Sequence, residues 1–186
     1  MSTLFTNRDW PWLLALAPQL ESVSLTQRDQ QIDSPKSREF ATMLSRCRVL
    51  SVIGHQSEWM VQIICNALVV EHLLFAGRVP WGGIVCDISH VLTSNLMNTV
   101  TCENMDVTDQ FIHFLVKIFH DRHHTLRTLI FKQCWLPEAR SKWLHLSIFH
   151  SVEYIEVHDN FFRYERERLC SHLTKTFASR PRIVFK

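Results

Sequence analysis

Between residues 152 and 162 the chain reads VEYIEVHDNFF, which packs Glu153, Glu156, His158 and Asp159 into one short stretch. Imidazole and carboxylates this close are raw material for a metal site or an acid/base pair. A metal ion, however, needs ligands that converge from different elements at coordination geometry. A second cluster, HDRHH at residues 120–124, follows His113. His120 and His124 stand at i, i+4, a spacing that holds zinc on a helix, but no H-E-x-x-H is present and no third ligand is identifiable. Imidazolium groups that end a helix meet the negative end of its dipole, which accounts for HDRHH without a metal.

Other chemistries find less support. The cysteines Cys47, Cys65, Cys86, Cys102, Cys134 and Cys170 lie far apart with no C-x-x-C, so neither a zinc ribbon nor a redox pair is expected. Scattered, apolar-flanked cysteines read as buried free thiols. No G-x-S-x-G occurs, and nothing marks Cys86 or Cys170 as a nucleophile. The four glycines, Gly54, Gly77, Gly82 and Gly83, form no phosphate-binding motif. No catalysis, cofactor or metal is therefore expected.

The elements that position these residues emerge from a repeated frame. In VEYIEVHDNFF, Val152, Ile155 and Val157 fill positions 1, 4 and 6, and Asn160 fills position 9. The frame recurs as Leu126, Leu129 and Phe131 with Cys134 at 9, as Met97, Val100 and Cys102, and as Val70, Leu73 and Phe75. It recurs again as Cys47, Leu50 and Val52, as Leu20, Val23 and Leu25, and as Ile183 and Phe185 of a last unit. Unit starts at 20, 47, 70, 97, 126, 152 and 180 are spaced by 23 to 29 residues, and such regularity is not expected of a random apolar chain. GGIVCDISH offers a competing strand at 83–88 within the third unit.

Between the strands lie segments with helical apolar spacing, such as Phe111, Leu115, Ile118 and Phe119, or Leu169, Leu173 and Phe177. Thr108 or Asp109 is a helix-cap candidate for the first, and Ser34 or Ser37 for the run that follows them. Each unit thus reads strand, turn, helix.

This pattern resembles the leucine-rich repeats, L-x-x-L-x-L-x-x-N/C-x-L, in the long-repeat, ribonuclease-inhibitor-like subclass. The resemblance covers roughly residues 20–186. The units at 126 and 152 match best; those at 20, 47, 70 and 97 carry Arg28, His55, Arg78 and Met105 at position 9, so their turns must be held differently. What the resemblance implies is an α/β solenoid of six to seven units, with a curved parallel strand ladder on the concave side and helices on the convex side. Residues 1–19 are expected to form a helical cap, with Trp10 and Trp12 over the first repeat.

Positions 3, 5, 7 and 8 of each unit are expected to face the concave surface. In the first three units these are small, neutral or apolar; charge gathers in the C-terminal half. A protein partner is expected to contact Glu103, Lys132, Tyr154, Glu156, His158 and Asp159, with Tyr154 as anchor and the charged residues setting specificity. Trp135, in the turn after its strand, serves either packing or contact.

Similar chains are substrate-recognition parts of ubiquitin ligases, inhibitors or scaffolds, although no F-box-like segment is readable in the first nineteen residues. The alternative is a doubly wound α/β enzyme in which VLSVIGHQSEW supplies a strand and a ligand loop at Gly54 and His55. Formal net charge is +2, with no block of like charges, so no nucleic-acid partner is expected. The apolar stretch MVQIICNALVVEHLLFAG carries Gln62, Asn66, Glu71 and His72, and WLLALA is framed by Asp9, Pro11 and Pro18. Neither a membrane span nor a signal peptide is expected, which puts the chain in the cytoplasm with the nucleus left open.

Overall fold

Strands form where the frame alternates apolar with polar residues, the period-2 pattern of a half-buried strand. A computed structural model describes residues 10–27, 36–54, 57–77, 96–119, 125–135, 151–158 and 181–186. Within them the strands are β1 (Ser22–Gln27), β2 (Val49–Gly54), β3 (His72–Ala76), β4 (Thr99–Glu103), β5 (Thr128–Lys132), β6 (Tyr154–His158) and β7 (Arg182–Phe185). The helices are α1 (Trp10–Leu16), extended by a 3-10 turn at Ala17–Gln19, α2 (Ser37–Met43), α3 (Glu58–Asn66) and α4 (Asp109–Ile118). None of these helices is long and apolar enough to cross a membrane.

The seven described strands make one parallel sheet in the order β1-β2-β3-β4-β5-β6-β7, so the chain is α/β. Their register follows the frame: position 3 of every unit, Ser22, Val49, His72, Thr99, Thr128, Tyr154 and Arg182, lies in one row. The backbone repeats with it. The position-2 carbonyl of each unit, beginning with Glu21 and ending with Arg127, accepts the N–H groups of positions 2 and 3 of the next at 2.8 to 3.4 Å. At the last step Pro181 has no N–H to give, and Glu153 O receives Arg182 N alone, at 2.8 Å.

Burial separates the two faces. Positions 4 and 6 of β2 to β6, from Leu50 and Val52 to Ile155 and Val157, belong to one core with Phe40, Met60, Ile63, Ile64, Phe111 and Leu115 of the helices. Phe75 of β3 packs edge-on against Phe111 and Phe114 of α4, with centroids 5.1 and 6.0 Å away. Residues at positions 3, 5 and 7 stay mostly half-buried or exposed.

The cap expected at Thr108 is present: its hydroxyl accepts a hydrogen bond from Phe111 N at 3.2 Å. Ser37 is not a cap. It is the first residue of α2, fully buried, and its hydroxyl donates across to Gln62 Oε1 of α3, joining neighbouring helices. Trp10 is buried against Phe40, but Trp12 is 56% exposed, because residues two apart on a helix are rotated by about 200° and so lie on opposite sides of α1.

Position 8 also departs from the expected concave row. Gly54, the last residue of β2, and Gly77, Asn104 and Gln133, each just past its strand, all have positive φ, at 93, 118, 51 and 51°, so the chain turns left-handed at the strand ends. The turns nest closely, since a Cβ on Gly77 would lie 3.0 Å from Gly54 N. Beyond the turn, Cys134 at position 9 is fully buried and its thiol donates to Cys102 O at 3.2 Å and Lys132 O at 3.4 Å. Where Met105 replaces the polar residue, backbone bonds do the same work: Trp135 N donates to Met105 O at 3.0 Å and Val107 N to Trp135 O at 2.8 Å.

Arg28, His55, Arg78, His120 to His124, Cys86, Cys170, Trp81, Trp143, Asp159, Asn160, Ser34, the 83–88 segment and the apolar residues at 169–177 lie outside the described residues.

Two stability outcomes follow from this packing. Leu73→Ala removes a fully buried side chain and is expected to cost about 2–5 kcal/mol, whereas Ser24→Ala on the open face stays within about 0.5 kcal/mol. Gly77→Ala is expected to destabilise by more than about 1 kcal/mol through strain and the Gly54 contact, and Gln133→Gly to be neutral or stabilising by up to about 1 kcal/mol. Urea denaturation of the four variants beside the parent checks both.

Candidate functional site on the open sheet face

Because side chains alternate across a strand, positions 3, 5 and 7 of β4 to β7 share the open face. Register then decides which residues meet. Glu103, Lys132 and His158 form one position-7 row across β4, β5 and β6. Lys186 continues it, following Phe185, which stands opposite Val157, and donating its backbone N–H to Val157 O at 3.0 Å. Tyr154 and Glu156 precede His158 at alternate places along β6, so all three point to the same side.

Glu156 organises the cluster. Its side chain is only 11% exposed, and its carboxylate accepts the Tyr154 hydroxyl at 2.8 Å, the Lys186 ammonium at 2.8 Å and the His158 Nε2. The Lys186 ammonium, then the His158 ring, then the Tyr154 hydroxyl hold the carboxyl at about 2, against an ordinary 4.5, with burial opposing them. Its bond to the carboxylate raises the Tyr154 phenol, and pairing raises Lys186. A carboxylate held so low and fully partnered is a poor proton acceptor near neutral pH, so the arrangement suits charge positioning better than base catalysis. Glu153 takes no part. Its side chain pairs with Arg127 at 2.7 Å, as Glu71 pairs with Arg48 at 2.9 Å, position 2 to position 2.

Of the residues expected to meet a partner, Tyr154, Glu156 and His158 are therefore in direct contact, and Glu103 and Lys132 extend the same row. Lys186 was not among them. Its signal was its place at position 7 of the last unit, which puts it beside His158 in the ladder. Trp135 lies outside the face but is 58% exposed in the turn after β5.

A second polar contact crosses the middle of the sheet. His72 on β3 bonds the hydroxyl of Thr101 on β4 through Nε2 at 2.8 Å, and Thr101 is almost fully buried. Burial, then the charge of Lys132, depresses the His72 pKa, favouring the neutral ring. The described residues hold no group of three or more His, Cys, Asp and Glu arranged to bind a metal ion. Burial pushes the Cys47 and Cys134 thiols up to about 11 and the Cys102 thiol well above its usual value, which leaves little thiolate for nucleophilic attack.

Two of these shifted groups, Glu156 and His72, set a pH dependence on the acid side. Between about 4.5 and about 2 the unfolded chain carries a proton on Glu156 that the folded chain does not, so this contribution is complete above 4.5 and is lost as pH falls through 2. His72 acts in the same direction below its ordinary 6.5, where the unfolded ring protonates first. Chemical denaturation across this range is expected to show stability rising with pH, with the slope reduced in Glu156→Gln in the lower window and in His72→Gln in the upper one.

No protein-family model matches the chain, and no curated protein matches it.

Proposed function

We propose that the chain is a leucine-rich-repeat solenoid of the ribonuclease-inhibitor-like kind, a non-catalytic module that binds a protein partner on the open face of its strand ladder. The observation that carries this reading is the shared register: seven parallel strands in sequential order, each placing the same positions of its unit in the same rows. Such a stack buries one face between units and helices and leaves the other as an extended surface for contact. Tyr154, half-buried and fixed by Glu156, has the rigid amphipathic form of an interface anchor, with Glu103, Lys132 and His158 around it.

The sequential order favours this reading over a doubly wound enzyme, whose sheet binds its ligand where strand order reverses. Gly54, the residue that a ligand loop would need, has a left-handed φ shared by Gly77, Asn104 and Gln133, so the repeat accounts for it. Among the described residues the cysteines Cys47, Cys65, Cys102 and Cys134 are buried, which suits a reducing, intracellular compartment.

Affinity capture with mass spectrometry tests the proposal. Tyr154→Ala combined with Thr128→Arg, both on the open face, is expected to reduce capture of the specific partner at least about tenfold while circular dichroism stays unchanged. Equal capture by the parent and the variant would overturn it.

A further inference from the structure

The open face has a charge polarity that narrows what its occupant can be. On β5, β6, β7 and the residue that follows, the face carries Lys132, Arg182 and Lys186 against the single carboxylate of Glu156. That carboxylate is already enclosed by Tyr154, His158 and Lys186. Arg182 stands opposite Tyr154 in the register and is exposed, and the Lys186 side chain is 54% exposed. Arg182 and Lys186 both lie near enough to act as cations on the Tyr154 phenol, against the larger opposing effect of Glu156, and Lys132 acts as far away as His72.

Toward β2 and β3 the same face changes character. Val49, Ile53, Leu74 and Ala76 are half-buried and uncharged. Between the two regions stands Glu103, in register with Ala76 on one side and Lys132 on the other. From Ile53 to Lys186 the position-7 row crosses five strand spacings, on the order of 24 Å at ~4.8 Å each.

We infer that this face binds an extended acidic segment of a partner protein, its carboxylates lying over Lys132, Arg182 and Lys186 and its apolar end over Val49, Ile53 and Leu74. The orientation is fixed by Glu103, which repels carboxylates from the middle of the row. Opposite charges across the interface set partner choice and orientation, and like charges exclude the reversed arrangement. This inference rests on the partner-binding reading above and adds the chemistry of the partner.

The experiment is fluorescence anisotropy with a labelled peptide whose run of glutamates is followed by leucine and alanine. A control peptide has glutamine for every glutamate. The acidic peptide is expected to bind, to weaken as salt is raised, and to lose at least about tenfold in affinity with Lys132→Glu and with Arg182→Glu. A peptide with lysine in place of glutamate should regain binding to the doubly reversed variant. Equal binding of the glutamine peptide, no binding of the acidic peptide, or charge reversals without effect would overturn the inference. The partner-binding reading fails separately: a partner whose capture needs Tyr154 but survives Lys132→Glu and Arg182→Glu preserves that reading and removes only the acidic assignment.

Discussion

The apolar side chains at positions 1, 4 and 6 cannot be buried by the unit that carries them. Cys47, Leu50 and Val52 are fully buried because units on either side and the helices behind them close over the strand. That requirement sets the register of the sheet, since slipping a strand by one residue would turn its apolar set to the open face. It also fits the doubled hydrogen bond at the position-2 carbonyls from Glu21 to Arg127, which locks successive units at the point where their strands begin.

Because the requirement is periodic, much of the fold was legible in the sequence. Every strand begins at position 3 of its unit, and the units least like the pattern, such as the one starting at Cys47, keep the register as well as those starting at Leu126 and Val152. The left-handed turn at position 8 was also present, as Gly54, Gly77, Asn104 and Gln133, residues whose common property is hard to see until they are aligned. Of the two serines offered as a cap, Ser37 is instead drawn into the helix interface, because only tertiary packing brings Gln62 within reach.

The polar face was legible in part. Strand alternation placed Tyr154, Glu156 and His158 together from the sequence alone. What alternation could not provide was the state of the carboxylate: its enclosure depends on Lys186, the residue that follows the next strand, 30 positions later. The alternating charges at position 2, Arg48 with Glu71 and Arg127 with Glu153, were missed for the same reason, being pairs between units rather than within one. Exposed pairs of this kind add little stability, but they do favour correct neighbours over incorrect ones.

The lost N–H at Pro181 acquires a meaning beside the Glu156 cluster. β7 is an edge of the described sheet, and the position-2 carbonyl before it receives one N–H where those of the earlier steps receive two. The Lys186 ammonium on Glu156 ties that strand back to its neighbour through side chains. The order of the edge strand and the electrostatics of the open face are consequently two readings of one equilibrium. A molecule that competed for Glu156 would loosen β7, and one that drew Tyr154 and His158 tighter around Glu156 would anchor it.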